Sequence, residues 1–443
     1  MLQRCLKLLL LALPVMVSQV GYIVVSFADN IMVGHYSTQA LASSSFVVNV
    51  FNIVILCGMG FSYGLTPLIG ALFAKGDSGN IGLTLKAGLI ANLLVGVLLS
   101  LIMAVVYVCI PHMGQPEELI PIIKPFFLIY LAGLIPMSVF NAFVQWSYAV
   151  RNTSMPMWIL LLCNALNIIG NYLLIYGNYG FPELGLTGAG ISTLFVRYLM
   201  AVLIVLIFFF KRSNRDYRAG FLSPDSKVTG ALMRKVISTS WPVALQMSCE
   251  TAAFSTCAVF AGWLGTIELA AFQIIIVVGS LGFCIYYSIG TAIAVEVANE
   301  AGRSDLYHCR KIAFSGYIVM LVMACISSTV FICFAHTLMG FFTNDISVLS
   351  AAQALLVPLL LYQLGDATQI TFANALRGTS HVMPMLWIAF FSYVVVGLTS
   401  TWTLAFPAGL GNYGIVLSFS VSLFMAAFLF LRSFLRVTRQ AAA

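Results

Sequence analysis

The chain has 443 residues, of which 61% are hydrophobic and 8% charged, with a formal net charge of +7. Soluble domains carry about 25% charged residues, so this chain lacks the polar surface to stay in water, and the soluble classes are excluded. Its ten cysteines stand singly, with no CxxC and no Cys/His cluster. They read as small apolar packing residues rather than disulfides or metal ligands.

The apolar runs exceed the roughly 20 residues that a bilayer crossing needs. Strand alternation is absent, and only helices or closed barrels satisfy their backbone in lipid, so the fold class is all-α integral membrane. The start, "MLQRCLKLLLLALPVMVSQVG", has the basic head and apolar core of a signal peptide. Hydrophobicity continues past Val24 without a small-residue cleavage site, and the segment is read as an uncleaved first helix. Turn and charge punctuation predicts helices at 8–33, 39–72, 83–110, 121–150, 156–177 and 187–210. A polar linker, 211–235, has room for an amphipathic helix, and six more helices follow at 236–263, 267–295, 309–338, 348–376, 384–405 and 413–436. The domains are therefore 1–210, the linker 211–235, and 236–443.

Basic residues orient such a bundle, because cytoplasmic loops collect Lys and Arg. With both termini inside, Arg4, Lys7, Lys75, Lys86, Arg151, seven linker residues, Arg303, Arg310, Lys311, Arg377, Arg432, Arg436 and Arg439 all fall inside. That leaves Lys124 near an outer loop and Arg197 within the sixth helix, where it pairs with an acid, lines a cleft or reaches the interface. The positive balance is thus an orientation signal, not a nucleic-acid surface.

The two halves repeat one another. "LPVMVSQV" at Leu13 aligns with "WPVALQMS" at Trp241, pairing Pro14 with Pro242 at an offset of 228. Gly34, Thr38, Leu41 and Ala42 match Gly262, Thr266, Leu269 and Ala270. Arg151 and Arg377 open similar stretches, and Gly185 and Gly188 reappear as Gly411 and Gly414. Six spans per half leave both halves in one orientation. The reading is twelve transmembrane helices in two six-helix lobes, related by a pseudo-two-fold axis along the membrane normal, a layout found among secondary transporters.

Three acids are predicted within spans: Asp29, Glu250 and Asp366. Each buried charge costs about 2.5–3.5 kcal/mol on insertion scales. Asp29 lies close enough to the outer end to reach water, whereas Glu250 and Asp366 are several turns from either end of their helices. Gln246 is four residues before Glu250, on one helical face, and Gln363 is three before Asp366, with Asn374 on the same stripe. Tyr362 offers a hydroxyl or a π face to a cation, although tyrosines also fill bundle cores. Asn164, Asn167 and Asn171 form a stripe on the fifth helix, readable equally as interhelical glue. Gln273 on the eighth helix completes the candidate cleft. The site expected from these residues binds Na⁺ or H⁺ at its carboxylates. No GxxxxGK[ST] or HExxH sequence is present, so the energy is expected from an ion gradient, with no cofactor and no enzyme chemistry.

"FADNIMVGHYSTQALAS", "NALNIIGNYLLIYG", the duplication and "LRG" after an intramembrane Asp together resemble the multidrug and toxic compound extrusion (MATE) family, over essentially the whole chain. The likeness is to its NorM branch. It implies that Glu250 and Asp366 are the second-lobe cation-site acids, Asp29 the first-helix Asp, and Tyr362 a site-adjacent Tyr. It implies antiport in a bacterial inner membrane, with small organic cations leaving as Na⁺ or H⁺ enters, by a monomer of two lobes. The DinF-like branch has an Asp in helix five where this chain has asparagines, which favours the second-lobe site and Na⁺. A rival within the superfamily is a flippase of lipid-linked saccharide or peptidoglycan precursors, which would want a basic cleft; one Arg against three acids speaks against it. A membrane-embedded acyltransferase would need a His or Cys beside the acids, and the five histidines lie near span ends.

Overall fold

The computed structural model describes residues 1–223, 228–343 and 345–439. Lys227 of the basic linker and the last four positions of the second predicted domain lie outside the described residues. The first half runs through α1 (Leu2–Tyr36), α2 (Thr38–Ser62), α3 (Leu65–Ala74), α4 (Ser78–Cys109), α5 (Ile120–Ala132), α6 (Leu134–Ala149), α7 (Ser154–Tyr176) and α8 (Gly185–Phe210). After the linker helix α9 (Arg215–Leu222) come α10 (Gly230–Leu264), α11 (Thr266–Gly302), α12 (Leu306–Cys333), α13 (Ala335–Gly340) and α14 (Ile346–Ala354). The series ends with α15 (Leu356–Gly378), α16 (Met383–Ala389), α17 (Leu398–Ala405) and α18 (Gly411–Arg439). Among the described residues the regular structure is helical throughout.

Eleven stretches are long and apolar enough to span a membrane, and the pair α14 and α15, bent by 47°, makes a twelfth when taken as one span. The bend has a local cause. Pro358 has no N–H to return to Ala354, the last residue of α14, so the ladder stops there. Four other predicted helices are interrupted where the sequence reading drew them whole, among them 309–338, which breaks at Phe334 between α12 and α13. The 39–72 helix breaks at Tyr63–Gly64, where a Cβ on Gly64 would sit 2.5 Å from the Cα of Ser240 on α10. The 121–150 helix breaks at Gly133, against which the Arg197 guanidinium lies. The 384–405 helix widens into a π-helical segment, Phe390–Gly397, between α16 and α17.

The duplication is written into the backbone as well as the sequence. Left-handed residues recur at matching places: Gly76 and Ser304, Arg151 and Ser380, Gly185 and Gly411. Asp77 caps α4 through the Asn80 N–H, and Asp305 caps α12 through the His308 N–H, at equivalent positions of the two halves. Gly188 packs on the Leu174 carbonyl and Gly414 on that of Leu404.

Contacts divide the chain into two compact units, one of Met1–Met16 with the residues from Leu245 onward, the other Val17–Ala244. The division therefore falls inside α1 and α10, shortly after Pro14 and Pro242, rather than in the linker. In the first unit the start of α1 is tied to later helices: Lys7 pairs with Glu296 of α11 at 2.9 Å, and Leu8, 2% exposed, packs near Gly316 of α12. Glu296 is itself 3% exposed inside α11, which runs to Gly302 rather than ending at 295. It is a fourth acid within a membrane-length helix, where the sequence reading counted three. In the second unit Phe51 stacks on Phe127 at 4.8 Å and on Tyr130 at 5.2 Å. The linker helix α9 lies flush on α4: a Cβ on Gly82 would meet the Tyr217 carbonyl, and one on Gly220 the Gly79 carbonyl.

Candidate functional site

In the first unit, α15 carries Asp366 with only 2% of its surface exposed. Its Oδ2 has no hydrogen-bond partner among the described residues. Glu250 on α10 lies within Coulombic reach of it and accepts a 3.2 Å bond from the Gln246 amide. Tyr362, one turn before Asp366, is half-buried, in reach of both carboxylates, with its ring between Phe254 (6.2 Å) and Phe419 (6.0 Å). The apolar walls raise the cost of leaving either acid charged and unaccompanied.

The other candidates on these helices divide. Gln363 is fully buried, but its amide donates to the Gly279 carbonyl of α11 at 3.2 Å, and its Oε1 sits where a Cβ on Gly282 would be. Asn374, two turns beyond Asp366, donates to the Ile370 carbonyl and accepts from Arg377, so both its ends are engaged. Gln273 is exposed. Sequence reasoning missed Gln369 and Tyr393. Gln369, 2% exposed, donates through Nε2 to the Tyr393 hydroxyl at 2.7 Å. Tyr393 belongs to the π-helical segment, is 2% exposed, and lies within Coulombic reach of Glu250, Asp366 and Tyr362. The spacing of Gln369 from Asp366 was a signal within the sequence; the π-helical register of Tyr393 was not.

In the second unit, Asp29 of α1 accepts from the Asn171 amide of α7. Asn167 shares its amide between Ser192 and Thr193 of α8 at 3.4 Å each, and Ser192 donates to the Asn167 carbonyl at 3.0 Å. Two members of the asparagine stripe thus hold Asp29 or α8. The third, Asn164, points its amide to where a Cβ on Gly21 would sit. Arg197 lies 4.0 Å over the Tyr130 ring and donates to the Tyr130 carbonyl at 3.3 Å, within Coulombic reach of Asp29. Among the described residues, no three His, Cys, Asp or Glu gather as a metal cluster. An ion at Glu250 and Asp366 would have two carboxylates and otherwise neutral oxygens.

Membrane-length helices, a duplicated half and acids buried in mid-span place the chain among the duplicated polytopic carriers. Comparison with known proteins is specific. The MatE family model matches residues 14–173 and again 242–403, once in each repeat, and the chain belongs to that family. It is similar to probable multidrug resistance protein NorM of Pasteurella multocida, 29% identical and covering 95% of this chain and 91% of that one. The NorM relative from Rhizobium meliloti is 27% identical, covering 98% and 94%. Among solved structures, an outward-facing multidrug resistance MATE transporter of the MOP superfamily superposes with a TM-score of 0.90 at 17% identity, over 99% of this chain and 97% of that one. A MOP superfamily transporter from Pyrococcus furiosus gives 0.89 at 17%, over 99% and 97%. At these identities the structures speak for the fold.

Proposed function

We propose that the protein is a cation-coupled efflux antiporter, exporting small organic cations and other toxic compounds as Na⁺ or H⁺ enters. The observation that carries the proposal is Asp366, buried with an unpartnered oxygen beside Glu250. A carboxylate in that setting is a site waiting for a positive charge. Occupancy removes the penalty of burying it, so empty and occupied proteins favour different packings. The gradient supplies about 2.3 kcal/mol per charge per 100 mV and about 1.4 kcal/mol per tenfold concentration ratio. The curated relatives bear the name multidrug resistance protein, which supports the substrate class. In this reading Tyr362 flanks the ion, Gln246 orients Glu250, and Asp29 with Asn171 and Asn167 forms a separate polar station in the other half. The lobes 1–210 and 236–443 are the two repeats of a monomer in the bacterial inner membrane, termini in the cytoplasm. Arg197 is engaged by Tyr130, which argues against the basic phosphate-receiving cleft of a flippase.

The test is ethidium efflux from proteoliposomes under an imposed Na⁺ or H⁺ gradient. Glu250→Gln and Asp366→Asn are each expected to abolish gradient-driven efflux while the protein still folds and inserts. Efflux at the wild-type rate in both variants would overturn the assignment.

A further inference from the structure

The end of α18 carries three exposed arginines, Arg432, Arg436 and Arg439. At about 100° per residue they fall within roughly 60° of one another, on a single stripe. Phe428, 59% exposed, and Leu435 continue that stripe, and Leu431 borders it. Together the six side chains line an open groove along the helix. No acid occurs between Gly411 and Arg439. None of the three arginines has an ion-pair or hydrogen-bond partner among the described residues.

The neighbouring cations are spent in other ways. Arg303 pairs with Glu300 at 3.2 Å, and Lys311 lies 4.0 Å over the Tyr307 ring. Arg310 of α12 reaches across to α18, donating through Nε to Thr438 Oγ1 at 2.7 Å and through Nη2 to the Leu435 carbonyl at 3.2 Å. Thr438 is 3% exposed, more than a quarter-turn from the arginine stripe. This contact fixes the inner face of the helix end and leaves the stripe turned outward. The first half treats the equivalent place differently. Gly82, at the 228-residue offset from Arg310, receives the backbone of α9, so a whole helix lies there.

The stripe also has a height. Phe428 belongs to a membrane-length helix, and Arg432 follows it by one turn. Arg436 and Arg439 stand about 6 and 10 Å further along the axis, at about 1.5 Å per residue. The headgroup layer of one leaflet is about 5–8 Å thick. Exposed apolar side chains thus give way to arginines over the distance in which acyl chains give way to phosphates. Guanidinium forks take phosphate through paired N–H···O bonds, and arginines one turn apart can close on one phosphate. A helix that merely marks orientation needs the charge but not the common face.

We propose that this face of α18 is a binding site for an anionic phospholipid. Arg432 and Arg436 hold the phosphate, Arg439 reaches the headgroup, and the acyl chains lie along Phe428 and Leu431. The lipid fastens from outside the helix end that Arg310 holds from within. The inference is independent of the antiport reading.

The purified full chain is placed in phosphatidylcholine nanodiscs with a rising share of phosphatidylglycerol, and its unfolding temperature is measured, since a ligand of the native state stabilises it. Wild type is expected to be stabilised as the share rises. Arg432→Gln and Arg436→Gln are each expected to raise the half-saturating share about fivefold. Adding Arg439→Gln to both is expected to abolish the response while matching wild type in pure phosphatidylcholine. Arg432→Lys, Arg436→Lys and Arg439→Lys together keep the charge without the fork and are expected to restore the response only in part. Arg303→Gln, which removes a paired cation, is expected to respond as wild type does. A triple glutamine variant that keeps the full response overturns the proposal. So does a triple lysine variant equal to wild type, or an Arg303→Gln loss as large as that of Arg432→Gln, because either shows diffuse attraction instead of a site. Inorganic phosphate added to pure phosphatidylcholine discs is expected to have no effect, and stabilisation equal to that from phosphatidylglycerol would overturn the assignment to a lipid.

Discussion

Gly188 and Gly414 show what a single residue is asked to do in a fold built twice. Each is the point where a helix of one half leans on the last carbonyls of the helix before it, Leu174 or Leu404. A Cβ would lie 2.4 Å from the Leu174 oxygen and 2.7 Å from the Leu404 carbonyl carbon, and a backbone cannot swing aside as a side chain does. Replacing glycine by alanine in a helix gains at most about 1 kcal/mol of propensity, against about 1–3 kcal/mol for overpacking. Gly188→Ala and Gly414→Ala are therefore expected to lower the unfolding temperature measured in detergent. Gly79→Ala, with nothing within 4 Å of the new Cβ, is expected to leave it unchanged or raised. The pairing of these glycines was legible in the sequence, because their spacing repeats. The engagement of Arg197 with Tyr130 was not, because a cation's partner 67 residues away leaves no local pattern.

At the scale of the element, position along the chain was easier to read than continuity. Hydropathy located all the spans, but the breaks at Gly64, Gly133 and Leu355 lie within uniformly apolar sequence. What breaks them is a tertiary neighbour or a proline, not a change of composition. The π-helical segment that carries Tyr393 is invisible for the same reason. Caps were legible in principle. Asp305 accepts the His308 backbone N–H at 2.9 Å and lies 2.6 Å from the His308 ring Nδ1. The backbone bond, ahead of the ring contact, holds its carboxyl below the ordinary 3.8. A carboxylate with a depressed folded pKa stabilises the native state in full above its unfolded value, and the benefit is lost as pH falls through the folded value. Wild type is thus expected to unfold at a higher temperature than Asp305→Ala at pH 7. The gap should close as the pH is lowered below about 4, where the unfolded chain keeps its proton. A gap that stays constant from pH 7 to pH 3 would mean that the cap acts through something other than its charge.

For the whole molecule, duplication and charge asymmetry carry the information that individual helices lack. The two family matches begin at residues 14 and 242, at the paired prolines that the repeat had already aligned. Contacts nevertheless divide the chain just after those prolines instead of at the linker, because hydropathy registers the polar segment and cannot register which helices pack. Orientation depends on the basic residues alone, and here the sum is lopsided: all but Lys124 and Arg197 of the 21 sort to one side if twelve spans are threaded with both ends inside. Losing a span would invert every charge after it, so an orientation with both ends inside expects α14 and α15, bent by 47°, to act as one crossing. The positive-inside rule weighs short loops most heavily, which makes the Arg303–Lys311 connection and the basic end of α18 the informative sites. A reporter that folds only in the cytoplasm is expected to be active when fused after Arg439 or inserted at Ser304. A phosphatase that needs the periplasm is expected to be active only at outer loops, such as the one following Met113. If the phosphatase were active after Arg439, one of the twelve crossings would be wrong, and the bent pair would be the first to re-examine.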